Sequence, residues 1–279
     1  MRVSSSHLTL SCLHFKKMLQ GNWREKHTLL SDGRVSIPVE DWPDAMLILM
    51  NIIHGHTRKV PRTVSLEMLA KVAVLVDYYQ CFEVVEVFSE MWINQLKGDL
   101  PKTYSRDVIL WICISRVFLQ PELFQESTTI ALRQSQGPIQ TLGLPISGKI
   151  VDRIDRRRQE SIDRIVTFLH GLLDDFCEGR NLQNPCSFEC QSILLGALTK
   201  EMSRLHLLSP RPAAPFLGFS FAATANSVRK IRSPIWCCNN RNYYSSHCQS
   251  HHCSLEPVIR PIIDSLEDSM KGLSLEDFD

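Results

Sequence analysis

Residues 65–96 read SLEMLAKVAVLVDYYQCFEVVEVFSEMWINQL, and this stretch decides the fold. Leu66, Leu69, Ala70, Val72, Ala73, Leu75 and Val76 leave few polar sides on a helix over 65–79, so that helix belongs in the centre of a core. Phe82, Val85, Phe88, Met91 and Trp92 gather on one side of a second helix over 82–96. Lys97-Gly98-Asp99-Leu100-Pro101 then breaks the chain.

Toward the N-terminus, Leu8, Cys12, Phe15 and Leu19 recur every three or four residues and predict one helix over 4–19. Val35, Ile37 and Val39 alternate with polar or turn residues, which predicts a short strand closed by Pro38 and Glu40. Asp41 is then expected to cap a further helix. Pro43 and Asp44 lie in its first turn, Met46, Leu49, Met50 and Ile53 form its face, and Gly55 stops it. Toward the C-terminus, helices are expected over 107–118, 121–133, 147–177 and 188–207. The Pro-rich run 209–215 serves as a linker, and one short helix is expected near 259–271. Ile162, Ile165, Leu169, Leu172 and Phe176 form the stripe of the long helix. The basic cluster of Arg153 and Arg156 to Arg158 reads as its solvated face.

Composition bounds the function. The chain has 279 residues, 44% hydrophobic and 22% charged, with a formal net charge of +1. That is a globular composition without the basic field expected of a nucleic-acid binder. The longest strongly apolar stretch, 45–53, falls far short of the roughly 20 residues that span a bilayer. No membrane association is therefore expected, and the cytoplasm or nucleus is the default location. Ten cysteines without a secretory leader point to free thiols or metal rather than disulfides.

These segments, in this order, resemble the BTB/POZ domain, most closely that of filamentous-fungal proteins. The likeness is carried by Leu8, Ser11, Phe15 and Met18, by Ile37-Pro38, by Ile52-Ile53-His54-Gly55, and by Leu75, Asp77, Tyr78 and Cys81. It covers residues 2–96. The resemblance implies an α+β, predominantly helical fold: a BTB/POZ-like domain over 1–97 with a small sheet plus helical hairpins, then an all-α extension. The extension divides into helices over 103–178 and a helical, Cys/His-containing region over 185–279. Met1 falls where the second strand of the family's opening hairpin should be ending. The sequence therefore reads as N-terminally truncated relative to the family, which counts against a family-type homodimer. A truncated gene product with little activity is one expectation that follows. The resemblance also implies protein partners. Self-association would run through Leu8, Cys12 and Phe15 on the first helix, the groove beside the third and fourth helices would be a partner site, and a cullin-type ubiquitin ligase scaffold is one implied partner.

The chemistry on offer is sparse. Cys238, Cys248, His252 and Cys253 form the best candidate zinc set, because soft and borderline ligands within a short tract can be folded around a tetrahedral ion. Their spacing is not that of a recognised zinc module. A zinc-stabilised C-terminal module for nucleic acid or protein is the alternative function, and Cys186 and Cys190, one helical turn apart, could add ligands. Gly143 to Lys149 matches the first part of a phosphate-binding loop, but Ile150 stands where a magnesium-binding hydroxyl is required. A loop leading into a helix is the expected structure there. Arg211 to Pro215 fits the loose spacing of a proline-rich ligand, but a stiff linker is the expected reading. No hydrolase or dinucleotide motif is present. The sequence is thus read as a protein–protein interaction module, an adaptor or scaffold, and not an enzyme.

Overall fold

The computed structural model describes residues 1–39, 42–179, 188–235 and 253–278. Twelve α-helices run in chain order through these residues: α1 (Ser5–Ser11), α2 (Leu13–Gln20), α3 (Arg24–Asp32), α4 (Pro43–Ile53), α5 (Leu66–Tyr79), α6 (Phe82–Leu96), α7 (Arg106–Val117), α8 (Pro121–Gln134), α9 (Gly148–Glu178), α10 (Phe188–Arg204), α11 (Phe221–Arg229) and α12 (Glu256–Ser269). No β-strand occurs among the described residues, which corrects the α+β class and its small sheet. The reason lies in pairing. Residues 34–39 have the alternation of a strand, but a strand exists only when its N–H and C=O groups bond to a neighbour, and no described segment supplies one.

The chain divides into two compact units. Unit 1 comprises Met1–Ala131, Ile139–Val151 and the C-terminal stretch from Gly272. Its centre is α5, with α2, α4, α6 and α7 packed around it. Leu69, Val72, Ala73 and Val76 are fully buried, as the apolar run demands. Ser65 caps the helix by accepting the Met68 N–H on its hydroxyl at 3.2 Å. Gln80, left-handed at φ 51°, ends it, so the chain turns directly into α6. Trp92 on α6 is sealed in and donates its indole N–H to the Pro61 carbonyl at 2.9 Å. The C-terminal stretch joins this unit at Gly272, where a side chain would collide with the Gln125 carbonyl of α8, and Leu273 donates its N–H to Thr128 Oγ1 at 2.9 Å.

Two local expectations in unit 1 are corrected. The single helix over 4–19 is two helices, because Cys12 adopts extended angles (φ −132°, ψ 118°) between α1 and α2. There Leu13 donates its N–H to the Gln80 carbonyl at the end of α5, a tertiary bond that periodicity cannot reveal. Helix α3 carries no buried residue, so it lacked the apolar face by which a helix is read. The expected cap Asp41 lies outside the described residues, although Pro43 does open α4.

Unit 2 comprises Leu132–Pro138 and Asp152–Lys271. The stripe Ile162, Ile165, Leu169, Leu172 and Phe176 of α9 is buried, as are Leu194, Leu198 and Met202 of α10. Helix α11, not anticipated from the sequence, packs on α12 and is capped by Ser220, whose hydroxyl accepts the Ala223 N–H at 3.2 Å. The basic cluster is corrected at one position. Arg158 is not on a solvated face but fully buried. Its guanidinium donates to the carbonyls of Pro215, Phe216 and Phe219 at 2.8, 3.0 and 2.9 Å, and to Asp155 at 2.7 Å. These loop carbonyls have no ladder of their own, and the buried fork satisfies them.

Candidate protein-binding groove

Helix α1, helix α2 and the apolar side of α4 leave an open groove in unit 1, walled on its far side by residues 35–39. It holds about 370 Å³ and is lined by Met1, Val3, Leu8, Phe15, Val35, Ile37, Met46 and Met50, with Ser36, Val39 and Pro43 at its edges. Its lining side chains are apolar apart from Ser36, but a large share of the surface it presents is polar, and Leu8, Phe15, Met46 and Met50 are themselves buried. The wall at 34–39 differs from the helical walls in its backbone. Val35 and Ile37 are half-buried between exposed Arg34, Ser36 and Pro38, an alternation that Val39, 44% exposed, does not continue. None of residues 34–39 makes a main-chain hydrogen bond within the described chain.

The three residues expected to form a self-association face lie inward. Leu8, Cys12 and Phe15 are 3%, 1% and 4% exposed. Leu8 and Phe15 floor the groove, and Phe15 stacks on Tyr79 of α5 at 4.6 Å between ring centroids. Cys12 meets Cys81 at the α5–α6 junction. The hydrogen bond between the two thiols and their burial hold Cys81 protonated, far above the ordinary thiol range. The same bond lowers the Cys12 thiol, so the two thiols are unlike, and both are closed off from solvent. Helix α1 is anchored at its other end by His54. The Ser4 N–H donates to Nε2 at 2.9 Å while Nδ1 lies 2.8 Å from the Met50 carbonyl, which assigns the proton to Nδ1. His7 stacks on the same ring at 5.1 Å.

Of the candidate zinc ligands, Cys238, Cys248 and His252 lie outside the described residues, as does Cys186. Cys253 is half-buried just before α12, and Cys190 is buried in α10. Among the described residues no group of three or more His, Cys, Asp or Glu side chains is placed to hold a metal ion. The loop resembling a phosphate cradle does lead into a helix. Gly143 takes a positive φ of 76°, α9 begins at Gly148, and Val72 to Asp77 lie within α5. Arg116 of α7 occupies this region, donating to the Pro145 carbonyl at 3.1 Å and lying 3.6 Å from Asp77. Arg211, in the proline-rich run, is tied to Thr167 of α9 at 2.7 Å.

Sequence reasoning missed the groove as a groove. Its residues were assigned to a helix face, a strand and a second helix, and only their convergence makes a site. No protein-family profile, curated protein or solved structure matches the chain.

Proposed function

We propose that this chain is a protein-binding module that takes its partner in the apolar groove of unit 1. The observation that carries the reading is the groove's composition: the side chains of Val3, Leu8, Phe15, Ile37, Met46 and Met50 line a concavity walled by a segment that makes no main-chain hydrogen bond within the described residues. Apolar concavities of this kind recognise side chains. A pair of methionines among them lets the surface adjust to a guest, since the thioether chain is flexible and polarizable. A binding role is also what the likeness of residues 2–96 to BTB/POZ proteins implies. The family's sheet is absent among the described residues, and an adaptor or scaffold role, with or without a cullin-type partner, is part of the same proposal.

A photo-crosslinking amino acid at Ser36, on the groove edge, tests the reading. The expected result in cell extract is a discrete protein adduct, reduced when Met46→Asp is introduced into the same chain. An adduct pattern no different from that of the same crosslinker at Val87, 74% exposed on the surface of α6, overturns it.

A further inference from the structure

We propose that the groove wall, residues 34–39, pairs edge to edge with the same segment of a second copy of this chain, antiparallel about Ile37. This rests on the groove being a docking surface and names the partner.

The argument begins with the backbone. In an extended chain the N–H and C=O of one residue point to one side and those of the next to the other. The side bearing Val35, Ile37 and Val39 carries a full set of donors and acceptors. The side bearing Arg34, Ser36 and Pro38 lacks a donor at Pro38. Neither side makes a main-chain hydrogen bond within the described residues, and the side bearing Val35, Ile37 and Val39 has a donor at every residue. An open edge with alternating apolar residues is a template for another strand.

The sequence indicates which strand. Ile37 is the centre of a near-palindrome, with valines two residues to either side (Val35, Val39) and opposite charges three residues to either side (Arg34, Glu40). Antiparallel pairing about Ile37 sets Val35 of each copy against Val39 of the other. It also uses only the complete edge, leaving Pro38 facing away from the partner. The interface is isologous and therefore closes at two copies. A two-stranded ribbon alone is marginal in water. Here the one ribbon face that bears Val35 and Ile37 of both copies lies over the two grooves, in which those side chains are already half-buried.

Light scattering on the full chain over a concentration series, with two proline variants, tests the pairing. Wild type is expected to approach twice the mass of the 32.0 kDa chain. Val39→Pro removes a donor from the paired edge of each copy and should weaken dimerisation by about tenfold or more. Ser36→Pro alters the unpaired edge and should leave it within about twofold of wild type, since no bond of the pairing is removed. Circular dichroism confirms that both variants keep their helices. As an independent readout, Ile37→Cys treated with diamide should give a covalent dimer whose mapped link joins the two introduced cysteines. Directly opposed, hydrogen-bonded antiparallel residues lie about 5.5 Å apart between Cα atoms, within disulfide reach. A monomer at every concentration, equal effects of the two prolines, or a link mapped elsewhere overturns the pairing. If such a monomer still gives the Ser36 photo-adduct with another protein, the pairing fails and the groove reading stands; if it gives none, both fail.

Discussion

At the scale of single residues, Arg158 is the position where most depends on one side chain. Its guanidinium meets three loop carbonyls and the Asp155 carboxylate without contact with solvent. Arg158→Met is expected to destabilise unit 2 by about 3–5 kcal/mol, because the Pro215 and Phe219 carbonyls lose their donor and the Asp155 carboxylate keeps only Gln159. Arg158→Lys should recover only part of this, since an ammonium cannot present a planar fork to several acceptors at once. Urea titration followed by circular dichroism measures both. Gly272 is a steric counterpart. Gly272→Ala puts a methyl group into the Gln125 carbonyl, and the expected outcome is release of the C-terminal stretch from α8, seen as increased proteolysis after residue 271.

At the scale of elements, α3 and α10 make opposite predictions. Helix α3 fully buries no side chain and, among the described residues, is held against α2 only by half-buried residues and by the Lys26 ammonium on the Gln20 carbonyl. Its amides should exchange with solvent orders of magnitude faster than those of α5, whose Leu69, Val72 and Val76 are fully buried. Equal protection of the two helices would show a packing contact that the burial pattern lacks. Helix α10 carries Glu201, nearly buried, with Arg204 at 2.6 Å and Arg232 at 2.8 Å. The hydrogen bond from Arg204, with help from Arg232, holds its carboxyl below the usual carboxylate range. A carboxyl whose folded value lies below its unfolded value of about 4.3 adds stability that is complete above that pH. That stability is lost as pH falls toward the lower folded value. Glu201→Gln should therefore melt lower than wild type at neutral pH and lose less on acidification below about pH 4, when thermal midpoints are compared across a pH series.

At the scale of the molecule, charge sets behaviour in solution. With a net charge of +1 and an isoelectric point near 7.6, copies of the chain repel each other little at neutral pH. Solubility, followed by turbidity, should pass through a minimum near pH 7.6 and rise on both sides. No described helix is long and apolar enough to cross a membrane. The two units draw their residues from separate stretches of sequence, with unit 1 taking in the last stretch of the chain from Gly272. The linear divisions near 97 and 178 mark breaks between helices, and compactness follows contacts that ignore them.

The sequence alone determined the helices whose apolar residues recur at helical spacing. It placed α5 at the centre through its nearly continuous apolar run, bounded α5 with Ser65 and α4 with Pro43, and assigned the stripe of α9 to a core. Those properties are local, since a cap bonds within its own first turn and an apolar face is set by its own periodicity. The tertiary structure decided what depends on partners distant in sequence. Residues 34–39 carry a strand pattern but have no described neighbour to bond, so they stay unpaired and line a groove instead. Cys12 interrupts a helix its neighbours would continue, where Leu13 meets a carbonyl at Gln80. Arg158 looks like a surface charge until a loop some 60 residues further on supplies the carbonyls that let it be buried. In each case the deciding energy is a hydrogen bond made or left unmade between segments that only the folded chain brings together.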